Sequence, residues 1–248
     1  MTGEVIVVSG LTEIASGFAS VPTGRSGMTR SQVYLVAIAV IVATPSLVRS
    51  ADKEQRVFAV TVDGKPAGEY RMTITVDDGW EQLTCSAAVR VKHLVGQYRY
   101  SYHGTEIWRG GRLQQLDAAS DDDGIRHTVR AVTDLAGLHV TVDGKAQPDH
   151  RPGAWPTTYY RLPDGAKSAT SLSLLDVDTG KVLAVRLSLV GQAKVTIADR
   201  PMDCTHYRVS GQAQAELWFD APGRLVREET VEDGHKTVLE LASVQKVK

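Results

Sequence analysis

The stretch EYRMTITVDDGWEQLTCSAAVRVK, residues 69–92, decides the fold. Tyr70, Met72, Ile74 and Val76 are apolar, and Glu69, Arg71, Thr73 and Thr75 between them are polar. Beyond Asp78-Gly79 the alternation resumes, with Leu83, Cys85, Ala87, Val89 and Val91 set against Thr84, Ser86, Arg90 and Lys92. Successive side chains of an extended chain point to opposite faces, so each run is a strand with one side on a core and one in water. Asp-Gly tolerates positive φ at two successive positions, which a tight hairpin turn requires. The segment therefore predicts two half-buried antiparallel strands.

The same grammar extends in both directions. Leu138, Val140 and Val142 alternate with His139, Thr141 and Asp143, and Leu183, Val185, Leu187 and Leu189 alternate with Arg186 and Ser188. Asp63-Gly64, Asp123-Gly124, Asp143-Gly144, Asp164-Gly165 and Asp233-Gly234 repeat the turn signal, and Gly110-Gly111 and Pro222-Gly223 add two more. No segment after residue 50 sustains a helical period over three turns. The expected fold is all-β: a curved antiparallel meander forming a closed or half-open β-barrel. One region interrupts it. HRPGAWPTTYYRLP, residues 150–163, carries three prolines, Trp155, Tyr159 and Tyr160. It predicts a crossover at about 145–166, with one helical turn after Pro156, positioned to serve as a flap over an open end of the sheet.

The chain has 248 residues, 28 basic against 29 acidic, with 42% hydrophobic side chains. That balance excludes a polybasic nucleic-acid binder, an acidic disordered protein and a polytopic membrane protein. Val33 to Ala43 is an uninterrupted apolar run of 11 residues, preceded by Arg30 and ended by Pro45. It is too short for a bilayer-spanning helix, which takes about 20 apolar residues. With Val48 and Ser50 as the small residues of a cleavage site, residues 28–50 read as a secretory signal peptide cut after Ser50. An uncleaved amino-terminal anchor is the alternative. Either Met28 is then the true initiator or residues 1–27 are a loose extension before it, and residues 51–248 form a single antiparallel domain, exported to the periplasm or secreted. Ser50 is followed by 25 basic and 27 acidic side chains, a net charge of −2. That surface has no electrostatic pull toward nucleic acid or an anionic membrane, and no stable membrane insertion is expected after cleavage.

Linear motifs of catalysis are absent: no zinc-protease helix, no phosphate loop, no nucleophile elbow. No catalytic residue, metal or cofactor is assigned. Cys204-Thr205-His206 puts a thiol and an imidazole on one strand face, but nothing nominates further ligands. Asp121-Asp122-Asp123-Gly124 lacks the spacing and terminal glutamate of a calcium loop and reads as a hairpin turn. The two cysteines, Cys85 and Cys204, would outside the cytosol either form a disulfide or remain buried thiols. A bridge would close a 119-residue loop, worth about 4–5 kcal/mol on the chain-entropy account.

Tyr98, Tyr100, Tyr102, Glu106 and Trp108 share one face of an extended run through Gly104, with Arg99, Ser101, His103 and Thr105 on the other. Such a ladder either floors a pocket for a lipid or other apolar small molecule or supplies core to a chain with only three phenylalanines. A carboxylate on that face must be paired, raised in pKa or in contact with a ligand. A hydrolase would draw on Glu106 with Asp117, His103 or His127.

The segment ELWFDAPGRLVR, residues 216–227, together with Val62-Asp63-Gly64-Lys65-Pro66-Ala67-Gly68 and Glu106-Ile107-Trp108-Arg109-Gly110-Gly111-Arg112-Leu113, resembles a group of uncharacterised exported bacterial proteins. More distantly the chain is similar to the lipoprotein-localisation carriers and outer-membrane assembly accessories of the bacterial envelope. That resemblance implies a half-open barrel holding an acyl chain in its concave face, and no catalytic residue. The chain departs from those carriers in lacking the helices that usually plug the barrel, unless Trp155 to Leu162 serves. The expected function is an exported binding or carrier protein. The alternatives are an envelope interaction protein that pairs through a sheet edge with a protein partner, or a hydrolase with a dispersed site.

Overall fold

The computed structural model of the protein describes residues 52–247, apart from 94–95, 149–152, 164, 167–168 and 198. The expectations for residues 1–27 and 28–50 lie outside the described residues. The described strands all belong to the compact unit Val48–Lys248.

Each Asp-Gly signal acts locally before any tertiary contact forms. Asp63, Asp78, Asp123, Asp143 and Asp233 all take φ near +50°, and each following glycine is also positive. Both central residues of a two-residue hairpin turn need that geometry to match the twist of the strands. The turns join β1 (Asp52–Val62) to β2 (Lys65–Asp77), and β2 to β3 (Trp80–His93). They also join β5 (Arg112–Asp122) to β6 (Ile125–Thr133) and β7 (Leu138–Val142) to β8 (Lys145–Ala146). The last joins β14 (Leu225–Glu232) to β15 (His235–Val247). Gly110-Gly111 does the same between β4 (Gly96–Arg109) and β5.

The remaining strands are β9 (Trp155–Pro156), β10 (Thr170–Leu175), β11 (Val182–Ile197), β12 (Arg200–Gly211) and β13 (Ala215–Phe219). All lie in one sheet ordered β8-β7-β6-β5-β4-β3-β2-β1-β15-β14-β13-β12-β11-β10-β9. Every pairing is antiparallel except the short β9–β10 contact. The chain is therefore a meander whose first and last long strands are neighbours, with Phe58 opposite Leu241. Among the described residues no ladder joins β8 to β9, so the barrel is half-open. No helix occurs among the described residues.

Register shifts at Val57/Phe58, Val60/Thr61, Ile107/Trp108, Leu189/Gly191 and Trp218/Phe219 bend the strands inward, as bulges do. The concave face carries one continuous core drawn from both halves, including Phe58, Met72, Leu83, Leu116, Leu187 and Leu217. Burying a side chain of this size contributes about 1.5–3 kcal/mol. Side chains bridge the unladdered seam at one place. The β10–β11 turn leans on the first half of the sheet, where the Tyr100 hydroxyl donates to Asp178 Oδ1 at 2.8 Å and the Ser120 hydroxyl to Asp178 O at 3.5 Å. Gly180 in that turn has φ +69°, and a Cβ there would come within 2.4 Å of Val142 Cγ2. A side chain at that position would have to displace Val142 on β7.

Two expectations need correction. The crossover makes a turn after Pro156, with Tyr159 N donating to Pro156 O at 3.2 Å, and no helical turn; Tyr159 itself takes φ +46°. Leu189 does not continue the buried face of Val185 and Leu187 but is 45% exposed, because the bulge beside it rotates the strand.

Candidate functional site

Along the inward face, deep burial gives way to partial exposure toward one end. Along β4, Tyr102, Glu106 and Trp108 are buried, while Tyr100 and Tyr98 are half-buried toward the end that holds the Asp63-Gly64 and Asp233-Gly234 turns. All five predicted ladder residues share the inward face. Tyr102 folds back over Gly104, where a Cβ would meet its hydroxyl at 2.2 Å, and that buried hydroxyl has no hydrogen-bond partner among the described residues. Glu106 is 1% exposed. Its Oε2 accepts from Trp108 Nε1 at 2.8 Å and its Oε1 from the Thr158 hydroxyl at 2.7 Å. Burial outweighs both bonds and raises the carboxyl to about 7.

Thr158 belongs to the crossover. Ala154, Trp155, Thr158, Tyr159 and Tyr160 are all buried, so this segment fills the barrel as an internal plug rather than covering it as a flap. Its anchors are specific. Trp155 Nε1 donates to Arg161 O at 2.8 Å, Thr157 N donates to Leu175 O at 3.0 Å, and Tyr160 sits edge-on to Trp108 with ring centroids 5.2 Å apart. The lower half of the ladder thus contacts the plug.

Past the plug lies a cleft of about 830 Å³, at the end where β1 begins and β15 finishes. Tyr160, Arg161 and Leu162 floor it; Ile74 and Val76 form an apolar wall; Glu54, Arg56, Glu81 and Arg224 supply charge. Arg56 is 7% exposed, with Nε on Glu54 at 2.7 Å and Nη1 on Tyr160 O at 3.2 Å. Arg161 Nη1 donates to Glu81 at 2.8 Å, and the Tyr160 hydroxyl to the same carboxylate at 3.1 Å. Arg224 Nε donates to Asp220 at 2.8 Å.

The opposite end is acidic. Asp178 is raised to about 6 and Glu228 to about 8, both chiefly by burial, with the Asp176 and Glu232 charges adding to the shift of the first and Glu232 to that of the second. Burial also raises the Tyr98 and Tyr100 phenols.

Several sequence candidates do not converge. His103 and Asp117 occupy outward positions, whereas Glu106 points inward. His127 is on the surface, its Nδ1 2.9 Å from the Asp143 turn carboxylate. His235 repeats that arrangement with Asp63 at 2.7 Å. His206 stacks on Trp218 at 4.4 Å and meets Glu216 at 2.6 Å, while the Cys204 thiol lies 3.7 Å from Met202 O. No cluster of three metal-ligating side chains occurs among the described residues. Asp121 caps its own turn, accepting from Gly124 N at 2.8 Å. The disulfide is overturned: Cys85 and Cys204 are both free and buried, on β3 and β12, which stand six strands apart in the sheet. Burial raises the Cys85 thiol well above its ordinary range, which fits an inert core group.

Sequence reading missed Thr158, Arg161, Arg56 and Glu81. For two of them a signal existed. Arg56 is in phase with Phe58 and Val60, and Glu81 with Leu83 and Cys85, so each puts a charge on the core side of its strand.

The match to a family of known extent covers residues 58–242, most of the sheet and the whole plug. The chain belongs to the DUF6134 family, a domain of unknown function. No curated protein matches this DUF6134 sequence. Among solved structures it is similar to the crystal structure of a beta-barrel-like protein of the domain of unknown function DUF1849 from Brucella abortus, with TM-score 0.59 and 10% identity. The likeness covers 79% of this chain and 98% of that one. At that identity it shows the fold of the DUF6134 domain, a β-barrel-like meander.

Proposed function

We propose that the protein is an exported, non-catalytic binding or carrier protein that holds an amphipathic or apolar ligand, and that the ligand lies in the cleft beneath the plug. The observation that carries this reading is the cleft itself. Its volume of about 830 Å³ is within the range of small-molecule sites, and Ile74, Val76 and Leu162 give it an apolar wall beside fixed polar groups. The buried Glu106, closed off by Thr158 and Trp108, supports binding over hydrolysis, because a general acid needs access to substrate. The signal-peptide pattern of residues 28–50 supports export, and the half-open barrel is compatible with the carrier resemblance. Native mass spectrometry of protein purified from its host tests the reading: a co-purifying ligand is expected, and Ile74→Trp, which fills the cleft, should abolish it. A bare polypeptide mass, with no binding of a fluorescent acyl probe, would overturn it.

A second reading has one observation in its favour. Strand β10 pairs with β11 only over Val182–Leu187, so from Ser188 to Ile197 the described ladder of β11 runs on one side alone. That edge could add a strand from an envelope partner, with main-chain hydrogen bonds supplying affinity. Replacing Lys194 by Pro removes one backbone donor; unchanged retention of envelope proteins on the immobilised variant would count against this reading.

A further inference from the structure

The cleft beneath the plug carries more information than its size. The chain as a whole has net charge −1, yet the cleft is lined by five basic side chains, Lys53, Arg56, Arg161, Arg224 and Lys246, and three acidic ones, Asp52, Glu54 and Glu81. Counting Asp220, which braces Arg224, the cleft keeps a local excess of one positive charge on a slightly negative protein. The arginines are held in place by the fold. Arg56 is braced by Glu54 and Tyr160 O, Arg161 by Glu81, and Arg224 by Asp220. A guanidinium has five N–H donors, and these contacts use one or two of each, so pre-oriented donors remain. Arg161 lies 5.9 Å from the Trp108 ring, which further fixes its plane. On the outer side, Lys53 and Lys246 stand on the paired strands β1 and β15, with Lys246 directly opposite Glu54.

We infer, resting on the binding reading above, that the ligand is an anionic amphiphile: a single carboxylate or phosphate head set against Arg161 and Arg224, with its hydrocarbon on Ile74, Val76 and Leu162. A bidentate acceptor suits arginine forks, whereas a neutral head would leave the local positive excess uncompensated. The apolar wall and the basic side belong to one cleft, so a single molecule spans both. Free inorganic anions would use only the second half of the site.

The test is a fluorescence titration of the processed protein with a polyene fatty acid and with its methyl ester, which differ only in head charge. The acid should bind at least tenfold more tightly at low salt, with the difference shrinking in 0.5 M salt. Arg161→Gln should remove most of that preference while the ester still binds. Because Arg161 also braces the plug through Glu81, a second variant, Lys53→Gln with Lys246→Gln, tests the same charge on exposed side chains and should lower the acid's affinity several-fold. Equal binding of acid and ester would overturn the anionic head and leave the amphiphile reading standing. Binding of neither would overturn both. Displacement of the acid by low-millimolar inorganic phosphate would show an anion site without an acyl chain, and would overturn the amphiphile.

Discussion

Replacing Glu106 by Gln should stabilise the protein above pH 7 and leave it nearly unchanged at pH 4. Glu106 is held on the inner face by Trp108 Nε1 and the Thr158 hydroxyl, and burial raises its carboxyl from 4.5 to about 7. In the native state it therefore keeps its proton between those values, while the unfolded chain has already lost it. The native state binds more protons across this window, so stability falls as pH rises, by about 1.4 kcal/mol per pH unit. The total is about 3 kcal/mol between pH 4.5 and pH 7, with no further change from this group above that range. A glutamine fits the same contacts: its carbonyl accepts from Trp108, and its amide donates to the Thr158 oxygen, which is both donor and acceptor. Urea denaturation of both proteins at pH 4, 5, 6, 7 and 8 gives the difference directly, and the titrations of Asp178 and Glu228, common to both, cancel. The variant should gain about 3 kcal/mol on the wild type from pH 4 to pH 8. A difference flat within about 0.5 kcal/mol, or one of opposite sign, would refute the buried protonated carboxyl.

Gly180→Ala should cost about 1–3 kcal/mol, since the new methyl meets Val142 while φ stays at +69°; it should also raise hydrogen exchange in β7 and β10 before the rest of the sheet. Both thiols should be unreactive to a thiol reagent in the native protein and fully titratable in denaturant. An intact mass two hydrogens short under non-reducing conditions would contradict the separation of Cys85 and Cys204. The processed protein should begin at Ala51; amino-terminal sequencing that finds Val33 to Ala43 retained would refute cleavage after Ser50.

Local rules account for much of the architecture. Five Asp-Gly pairs specify five hairpin turns because two adjacent positive-φ residues admit almost no other geometry. The inward phase of Tyr98 to Trp108 is legible for the same reason: side-chain direction in a strand is fixed by parity alone. What could not be read depends on distant partners. Phe58 meets Leu241 across 183 residues, and Thr158 reaches Glu106 across 52; no periodicity encodes either. The disulfide expectation failed because two apolar-phase cysteines need share only a core, not adjacent strands. The crossover read as a flap because prolines and aromatics signal irregular chain without saying which side of the sheet it takes. Its three buried aromatics, Trp155, Tyr159 and Tyr160, decide the matter by the apolar area they remove from water.

The pairing of β1 with β15 has a consequence for how this chain could be rewired. Lys53 lies opposite Val247, so a short linker can splice the two ends, and a new break can be made between Pro148 and Gly153. The circular permutant would begin at β9, run through β15 into β1 and finish at β8, so that order along the polypeptide equals order across the sheet. Its longest-range ladder would become local, lowering contact order, and refolding should accelerate at similar stability. The plug, which contains β9, would then be joined to the sheet's chain through β10 alone, free of its tether to β8. Retention of the native fold by such a molecule would mean that the plug is seated by its own contacts rather than by being strung between two strands.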